Sequence, residues 1–469
     1  MAGVSSMPPG PPALPWLGHF PRLRSNALGF VAALARVYGP AATFYLGRQP
    51  VVLLSRPDAI RSVLVEQARS FTNAEFNAVL RPVLGRGLLT TDGEEHRRLR
   101  RLVQPAFGRK RVEGYRDIMV AQTERMLASW EQGAALDMGR QLQHLTLNIV
   151  AEVLLGLRTL DQVEALGEAF AVASDNARQA SLLMRTLRGA RGTQVNDDRF
   201  WHGPLTRVPF SPQYRVARAR RVLDSIVGTL IARKRAEGLD RGDVVSALLA
   251  ARDEAGEHGE SGGLSDDEIR DQLLTLLAAG HATTAIAMAW TLYLLSRDPR
   301  VAARLHDELC RHLGGRPPTA EDLESLPYLD RVWCEALRLY PPAWALGRLA
   351  REEIAVEGYR IPPGVMLMLS PWVTHRLPDL FESPHAFCPE RFEPAQSAQR
   401  PPYAYFPFGG GGRMCIGATF AALEGKLVLA MILQRFAPAV LPDPPVVPAA
   451  RVVLRPAHGM RMRLDPAPA

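Results

Sequence analysis

The sequence predicts a mainly α-helical fold with a minor β region. Three observations carry this. From Pro57 onward the apolar residues recur for the most part at helical spacing, interrupted at glycine and proline. Gln272 to Ser296 runs without a formal charge, with Gly280, His281 and several threonines at its middle. Runs of β-favouring residues are short and confined to Ala42–Leu54, Gly358–Met368 and Ala450–Leu464, so the minor sheet draws on both ends of the chain.

Taken in order, Pro8-Pro9-Gly10-Pro11-Pro12 through Pro15 is a stiff, extended entry with little reason to form a core. A helical stretch near Ala27–Val37 leads into Ala42–Leu54, where β-favouring residues flank Gly47-Arg48 and predict a hairpin. Gly192 to Pro212 is irregular and carries Phe200, Trp201 and Phe210 between two helical regions; an aromatic loop so placed is a lid over a buried site or plain packing. Ser265-Asp266-Asp267-Glu268 is a capping box, so the apolar helix that follows begins in water. At about 1.5 Å per residue, roughly 30 residues make a rod about 45 Å long, enough to cross a globular enzyme, and Gln272–Ser296 reads as a buried core helix rather than a membrane span. Glu335 and Arg338 stand on a helix that Pro341-Pro342 terminates. Gly358–Met368 returns to short strands, Ala418–Phe436 is an apolar helix, and Ala450–Leu464 is a closing hairpin turning at Pro456 to Gly459. No repeat and no linker divides the 469 residues, which read as one domain (1–469) with a proline-rich extension (1–15).

Composition excludes several classes. The formal charge is +8 and all basic residues but Lys110, Lys234 and Lys426 are arginine. That skew accompanies alanine and proline along the whole chain, which a GC-rich genome explains without nucleic-acid binding. The four cysteines (Cys310, Cys334, Cys388, Cys415) lack paired short spacings, which argues for a reducing compartment. The first seven residues have neither a basic nor an apolar region of a signal peptide, so a cytoplasmic protein is expected.

The reactive chemistry centres on Phe408-Gly409-Gly410-Gly411-Gly412-Arg413-Met414-Cys415-Ile416-Gly417. Glycines let the backbone curl and bring N–H groups near the sulfur, and the helix beginning at Ala418 directs its positive end at it, so the thiolate, a soft metal ligand, is favoured. A bland alternative is a flexible linker with an incidental buried cysteine. Phe-x-x-Gly-x-Arg-x-Cys-x-Gly is met at Phe408, Gly411, Arg413, Cys415 and Gly417, and here the chain resembles the heme-binding loop of the cytochrome P-450 family. The resemblance implies heme b with Cys415 as axial iron ligand, and a fold in which a long central helix lies over the heme beside a small N-terminal sheet. It covers essentially the whole chain. The proline entry resembles the hinge that follows the membrane anchor of microsomal members, without the anchor.

Further positions are carried over from the same resemblance. Glu335, Arg338 and Arg391 (in Pro389-Glu390-Arg391-Phe392) resemble the family's Glu, Arg, Arg triad, a buried carboxylate shared by two guanidinium forks beneath the cysteine loop. His96 and Arg100, one helical turn apart, fit the bacterial variant of a heme-propionate site, with Arg348 and Arg413 as further clamps. Arg97, Arg98 and Arg101 are a solvated face or help to dock an acidic electron donor. Ala279-Gly280-His281-Ala282-Thr283-Thr284 resembles the oxygen-activation motif, with Thr283 as its threonine and Ala282 where an acid is usual. Four readings stay open: water relayed through Thr283 alone, His281 or a substrate group in place of the acid, a reaction needing fewer protons, or a helix packed through small residues with Thr283 bonding its own backbone. Ala279, Thr283, Ala343, Trp344, Leu346, Val452 and Val453 are expected to line the pocket, Trp344 limiting its size, with Phe71, Phe76, Leu80 and Leu84 as further candidates. Nearly all are apolar, which argues for a hydrophobic substrate.

The function expected is a monomeric, soluble bacterial heme-thiolate monooxygenase acting on a terpenoid, fatty acyl, steroid or macrolide-like molecule with O2. NAD(P)H electrons arrive through a ferredoxin or flavodoxin and its reductase. The alternatives are a heme-thiolate isomerase or dehydratase that needs no reductase, and a non-catalytic heme sensor.

Overall fold

The long helix expected across the middle runs from Asp266 to Arg297. The computed structural model describes residues 7–73, 80–157, 163–170, 172–173, 176, 203–209, 211–238, 242–252 and 262–468. The central helix starts where the sequence says it must: Glu268 N–H donates to Ser265 Oγ (3.2 Å) and Ser265 N–H to Glu268 Oε2 (2.8 Å), a reciprocal cap. Most of its length is buried against the helices Met138–Leu155, Pro212–Glu237, Pro327–Leu339 and Ala418–Leu433. It is the helix among the described residues that is long and apolar enough to cross a membrane, and 67% of its most apolar stretch is buried inside the protein. Gly280 permits the closest approach; a methyl group there would come within 3.3 Å of Val150 on Met138–Leu155. Further along, Trp290 is fully buried, stacks on Tyr340 at 4.0 Å between ring centroids and donates to the Leu454 carbonyl at 3.0 Å, tying the helix to the C-terminal segment.

The first helix spans Phe20–Tyr38, longer than expected, with a break at Asn26. Ala41–Leu46 and Gln49–Leu54 pair antiparallel about Gly47, whose φ of 62° suits the tight turn. They form one side of a five-stranded sheet. Met366–Leu369 adds parallel to Gln49–Leu54, then Leu346–Ala350 and Phe71–Thr72 follow antiparallel.

The C-terminal part corrects the sequence reading in two ways. Pro448–Ala450 pairs with Leu454–Pro456, so the turn falls at Arg451 to Val453 rather than at Pro456 to Gly459. The last strand, Arg461–Pro466, instead joins Phe436–Val440 and Ala135–Asp137 in a separate sheet, so the main sheet unites the N-terminal hairpin with Met366–Leu369, as expected, but not with the final strands. Strand composition fixes that a segment extends, whereas its partner depends on distant chain, which no local pattern encodes. The expected aromatic loop lies mostly outside the described residues, as Phe200, Trp201 and Phe210 do; at its end Ser211 caps the helix Pro212–Glu237.

Candidate active site

The cysteine loop is a series of short backbone closures. Gly409 N–H donates to Phe406 O (3.0 Å), Met414 N–H to Gly411 O (3.1 Å) and Cys415 N–H to Phe408 O (2.9 Å), with Gly409 and Gly411 at φ of 71° and 63°. A side chain at Gly411 would run into the Leu64 carbonyl, so glycine is required there by space as well as by φ. Gly417 caps the helix Ala418–Leu433, which leads away from the cysteine. The Cys415 side chain is reachable by solvent, yet burial pushes its thiol up against the pull of the Gly417 N–H and Arg100, so the loop by itself favours the thiol and not the thiolate expected from its glycines and helix end. A group both accessible and closely surrounded lies in a recess. The central helix shows the same signature: Ala279, at its middle, is exposed while the turns around Leu274 and Ala285 are buried, and Thr283 stands one turn on from it, half-buried.

Beneath the loop the carboxylate triad assembles. Glu335 and Arg338 are fully buried and joined by two hydrogen bonds of 2.6 and 2.8 Å, and Arg391 Nε lies 3.4 Å from Glu335. Arg338 also donates to the carbonyls of His375 (2.8 Å), Pro384 (2.7 Å) and Ala386 (3.1 Å), and Cys388 N–H donates to Glu335 (3.0 Å). His375, which the sequence reading missed, completes this scaffold. Its Nε2 accepts from Phe406 N–H (3.0 Å), which leaves Nδ1 to donate to the Arg338 carbonyl (3.3 Å). Burial, with Arg338 and Arg376 beside it, holds its pKa well below the usual value, so the ring is neutral and can accept.

The predicted basic residues gather near the loop. Arg413 donates to the Thr91 carbonyl (2.6 Å) and pairs with Asp92; Arg100 donates to the Met414 carbonyl (2.8 Å). Arg348 is 9% exposed and bonds Asn73 Oδ1 (3.0 Å) and the Gly347 carbonyl (2.8 Å). Burial and then Arg413 push its pKa down to about 10. His96 is driven to about 4 by burial, Arg413 and Arg100, against the pull of Asp92, so it stays neutral and keeps one N–H to donate. Asp92 accepts from Thr72 Oγ1, the Asn73 N–H (2.9 Å) and Arg413. Three guanidinium groups against one carboxylate leave an excess of two positive charges here, which fits a cofactor carrying two carboxylates. Among the described residues no group of three His, Cys, Asp or Glu side chains is placed to hold a metal ion, so a metal at Cys415 would take its other donors from such a cofactor.

Three expectations change. His281 faces away: two residues from both Ala279 and Thr283, it is about 200° around the helix, against Phe170 (ring centroids 5.9 Å apart), with Nδ1 at 2.9 Å from the Leu277 carbonyl and a pKa lowered by burial. It is not positioned to replace the acid missing at Ala282. Trp344 packs with the first sheet against the cluster of Val31, Phe44 and Leu53 and donates to the Arg451 carbonyl (2.9 Å), which makes it a packing residue rather than a limit on pocket size. Phe71 and Leu84 are buried in the core, and Phe76 is outside the described residues. Thr283 Oγ1 donates to the Ala279 carbonyl (2.7 Å), the backbone bond that was one of its four readings. Ala282 and Ala343 are half-buried, and Leu346 sits beside Gly409 of the cysteine loop. The turn holding Val452 (66% exposed) and half-buried Val453 borders the Pro341–Trp344 segment, because Leu454 N–H donates to Pro342 O (2.9 Å).

A cysteine donor in a glycine-rich loop, with an excess of basic side chains beside it and a long central helix that keeps Ala279 exposed, points to a heme-thiolate class of site. Residues 8–461 match the family model described as Cytochrome P450, and the chain belongs to that family. It is 35% identical over 461 residues to cyclooctatin synthase of Streptomyces melanosporofaciens, covering 97% of this chain and 95% of the relative. Pentalenene oxygenase of Streptomyces avermitilis is 32% identical, with 97% and 96% covered, and cyclooctat-9-en-7-ol 5-monooxygenase of S. melanosporofaciens is 33% identical, with 91% and 88% covered. Among solved structures, the cytochrome P450DA heme domain superposes with a TM-score of 0.86 at 26% identity, covering 99% of each chain. The protein is therefore a heme-dependent P450 oxidoreductase of the monooxygenase type.

Proposed function

We propose that this P450 oxygenates a terpenoid hydrocarbon or alcohol. The observation that carries the reading is that Cys415 and Ala279 keep exposed surface on elements otherwise packed into the body, while Ala343, Leu346, Val452 and Val453, the other residues expected around the substrate, are apolar and not fully buried. The relatives named for cyclooctatin, cyclooctat-9-en-7-ol and pentalenene support it. Cys415 would hold the iron of heme b through its sulfur; Arg348, Arg413, Arg100 and neutral His96 would hold the two carboxylates, Asp92 orienting Arg413. The heme, once bound, supplies O2 binding and O–O cleavage. The chain's own part is to keep that face dry, to orient an apolar substrate and to hold a proton near Thr283 Oγ1. Electrons come from NAD(P)H through a ferredoxin or flavodoxin and its reductase, which Arg97, Arg98 and Arg101 help to dock. Residues 1–469 act as one heme domain, a cytoplasmic monomer.

The test is a binding screen followed by the optical spin-state change, with cyclic di- and sesquiterpenes set against fatty acids and steroids of similar size. Terpenes are expected to bind most tightly and to yield hydroxylated product with a surrogate redox pair. Tighter binding and turnover of fatty acids would overturn the substrate class. Cys415→His should retain heme but lose the red-shifted carbon-monoxide band of a ferrous thiolate; a variant that kept the band would remove Cys415 as ligand.

A further inference from the structure

The helices Arg116–Ala128 and Met138–Leu155 pack side by side but leave part of their seam open. Two hydrogen bonds pin the pair. Trp130 Nε1, just past the end of the first helix, donates to Gln141 Oε1 (3.4 Å), and Gln122 Nε2 donates to Glu152 Oε2 (2.7 Å) at the other end. Between these bonds lies a cavity of about 360 Å³, within the ~300–1,000 Å³ of small-molecule sites. The first helix and its cap present Gln122, Arg125, Met126 and Ser129 to it, and the second presents Gln141, His144, Leu145 and Asn148. Each set follows the i, i+3, i+4, i+7 spacing of a packing stripe, which two neighbouring helices ordinarily fill with apolar side chains. Here all but Met126 and Leu145 are polar. Arg125, His144 and Asn148 have no hydrogen-bond or ion-pair partner among the described residues. The floor beneath them is apolar, made by Met126 with buried Leu145, Leu157 and Val163. The opposite face of Met138–Leu155 meets the middle of the central helix: Thr146 Oγ1 donates to the His281 carbonyl (2.7 Å), and Val150 lies against Gly280. Thr146 is two residues, about 200° around the helix, from both His144 and Asn148, so one helix separates the cleft from the Ala279–Thr283 turn.

We propose that this cleft binds a small organic monoanion, a carboxylate on a short apolar chain, and that the bound molecule biases the central helix through Met138–Leu155. The Arg125 fork takes the carboxylate, His144 and Asn148 donate to the same head, and the chain lies on the apolar floor. Among the described lining residues Arg125 is the one fixed cation, and Glu152 stands at one end of the cleft, so a single negative charge fits where a phosphate dianion does not. The Thr146 bond to the His281 carbonyl carries a shift of one helix to the other. The site is distinct from the substrate face and does not depend on the substrate class proposed above.

Octanoate is the probe, titrated calorimetrically into the heme-loaded full chain with the iron held by saturating 4-phenylimidazole, so that the open face above the heme is already occupied. One site is expected. Arg125→Ala, at an exposed position where folding is not at stake, should weaken binding about tenfold or more, and Asn148→Leu, which fills the cleft, should do the same. Neutral 1-octanol should bind at least about tenfold more weakly than octanoate. In a separate optical titration, octanoate should change the affinity of the iron for 4-phenylimidazole several-fold, and Arg125→Ala should abolish that change. Thr146→Val cuts the bond to the central helix and leaves the cleft intact, so it should keep octanoate binding and lose the change in affinity. No heat from the parent, as for a cleft that holds water only, overturns the proposal. So do octanoate binding that neither cleft variant weakens, equal binding of 1-octanol, and octanoate binding with no effect on 4-phenylimidazole. An effect that survives in Arg125→Ala overturns it too, because octanoate then competes above the heme.

Discussion

Replacing Arg338 by lysine keeps the charge and most of the length, so it isolates what the guanidinium fork does. Arg338 donates five hydrogen bonds: two to Glu335 and one each to the carbonyls of His375, Pro384 and Ala386. An ammonium has three donors on one atom and cannot reach acceptors on both sides of a planar fork. At least two acceptors lose their partner inside the protein, at about 1–3 kcal/mol each. Weakening a fully buried ion pair adds to this, up to the ~3–5 kcal/mol of a broken one. The losses are coupled, so a net of roughly 3–6 kcal/mol is expected, a large part of the ~5–15 kcal/mol that holds a domain folded. Urea unfolding of soluble Arg338→Lys should show a much lower midpoint at unchanged slope, and heme content per chain should fall because the meander carrying Phe406 is tied to the same network. Arg391→Ala is the contrast, since Arg391 sits 3.4 Å from Glu335 and its Nε has no hydrogen-bond partner; a loss of about 1–2 kcal/mol is expected. Stability of Arg338→Lys within about 1 kcal/mol of the parent, with full heme content, would refute the argument that the fork is needed.

His96 is neutral when folded, with a pKa near 4 against 6.5 when free, so its contribution is intact above about 6.5 and is lost as pH falls toward 4. The heme-free protein should lose up to about 3 kcal/mol over that window from this residue, and His96→Gln should flatten the slope in urea titrations at a series of pH values. Trp344→Ala should cost about 2–3 kcal/mol through lost packing against the first sheet while the position of substrate oxidation stays the same; a changed product would return Trp344 to the pocket.

The features legible in the sequence are those written locally. A capping box and an uncharged run specify the central helix, Gly47-Arg48 its hairpin, and Pro341-Pro342 the end of the Glu335 helix, because each depends on neighbours a few residues apart. The register of the last strands was not legible: Arg461–Pro466 chooses Phe436–Val440 and Ala135–Asp137, and one of those partners lies more than 300 residues away. Trp344 was misplaced for the same reason. A tryptophan after a proline pair suits a pocket wall and a sheet cluster equally, and only the position of Val31 and Phe44 decides between them.

Within the site the division runs along charge. Spacing on one helix put His96 and Arg100 together and Glu335 beside Arg338, and it should also have excluded His281, since a separation of two residues points a side chain to the far face. Asp92 stands just before the helix Gly93–Val103 that carries His96, yet its pairing with Arg413 required the cysteine loop to fold back over the start of that helix. His375 had no local signal at all, because a lone histidine becomes informative only when its two nitrogens are seen to bridge Arg338 and Phe406. Glu424, fully buried on the helix after the cysteine loop, did have one. Apart from Lys426, which reaches Asp330 near the surface, it is the charged residue of Ala418–Leu433, and an acid on a strongly apolar helix must find a cation, reach water or keep its proton. The first two outcomes are closed by its burial and by the absence of any cation among the groups that influence it, so the third follows from the packing of two helices rather than from any motif.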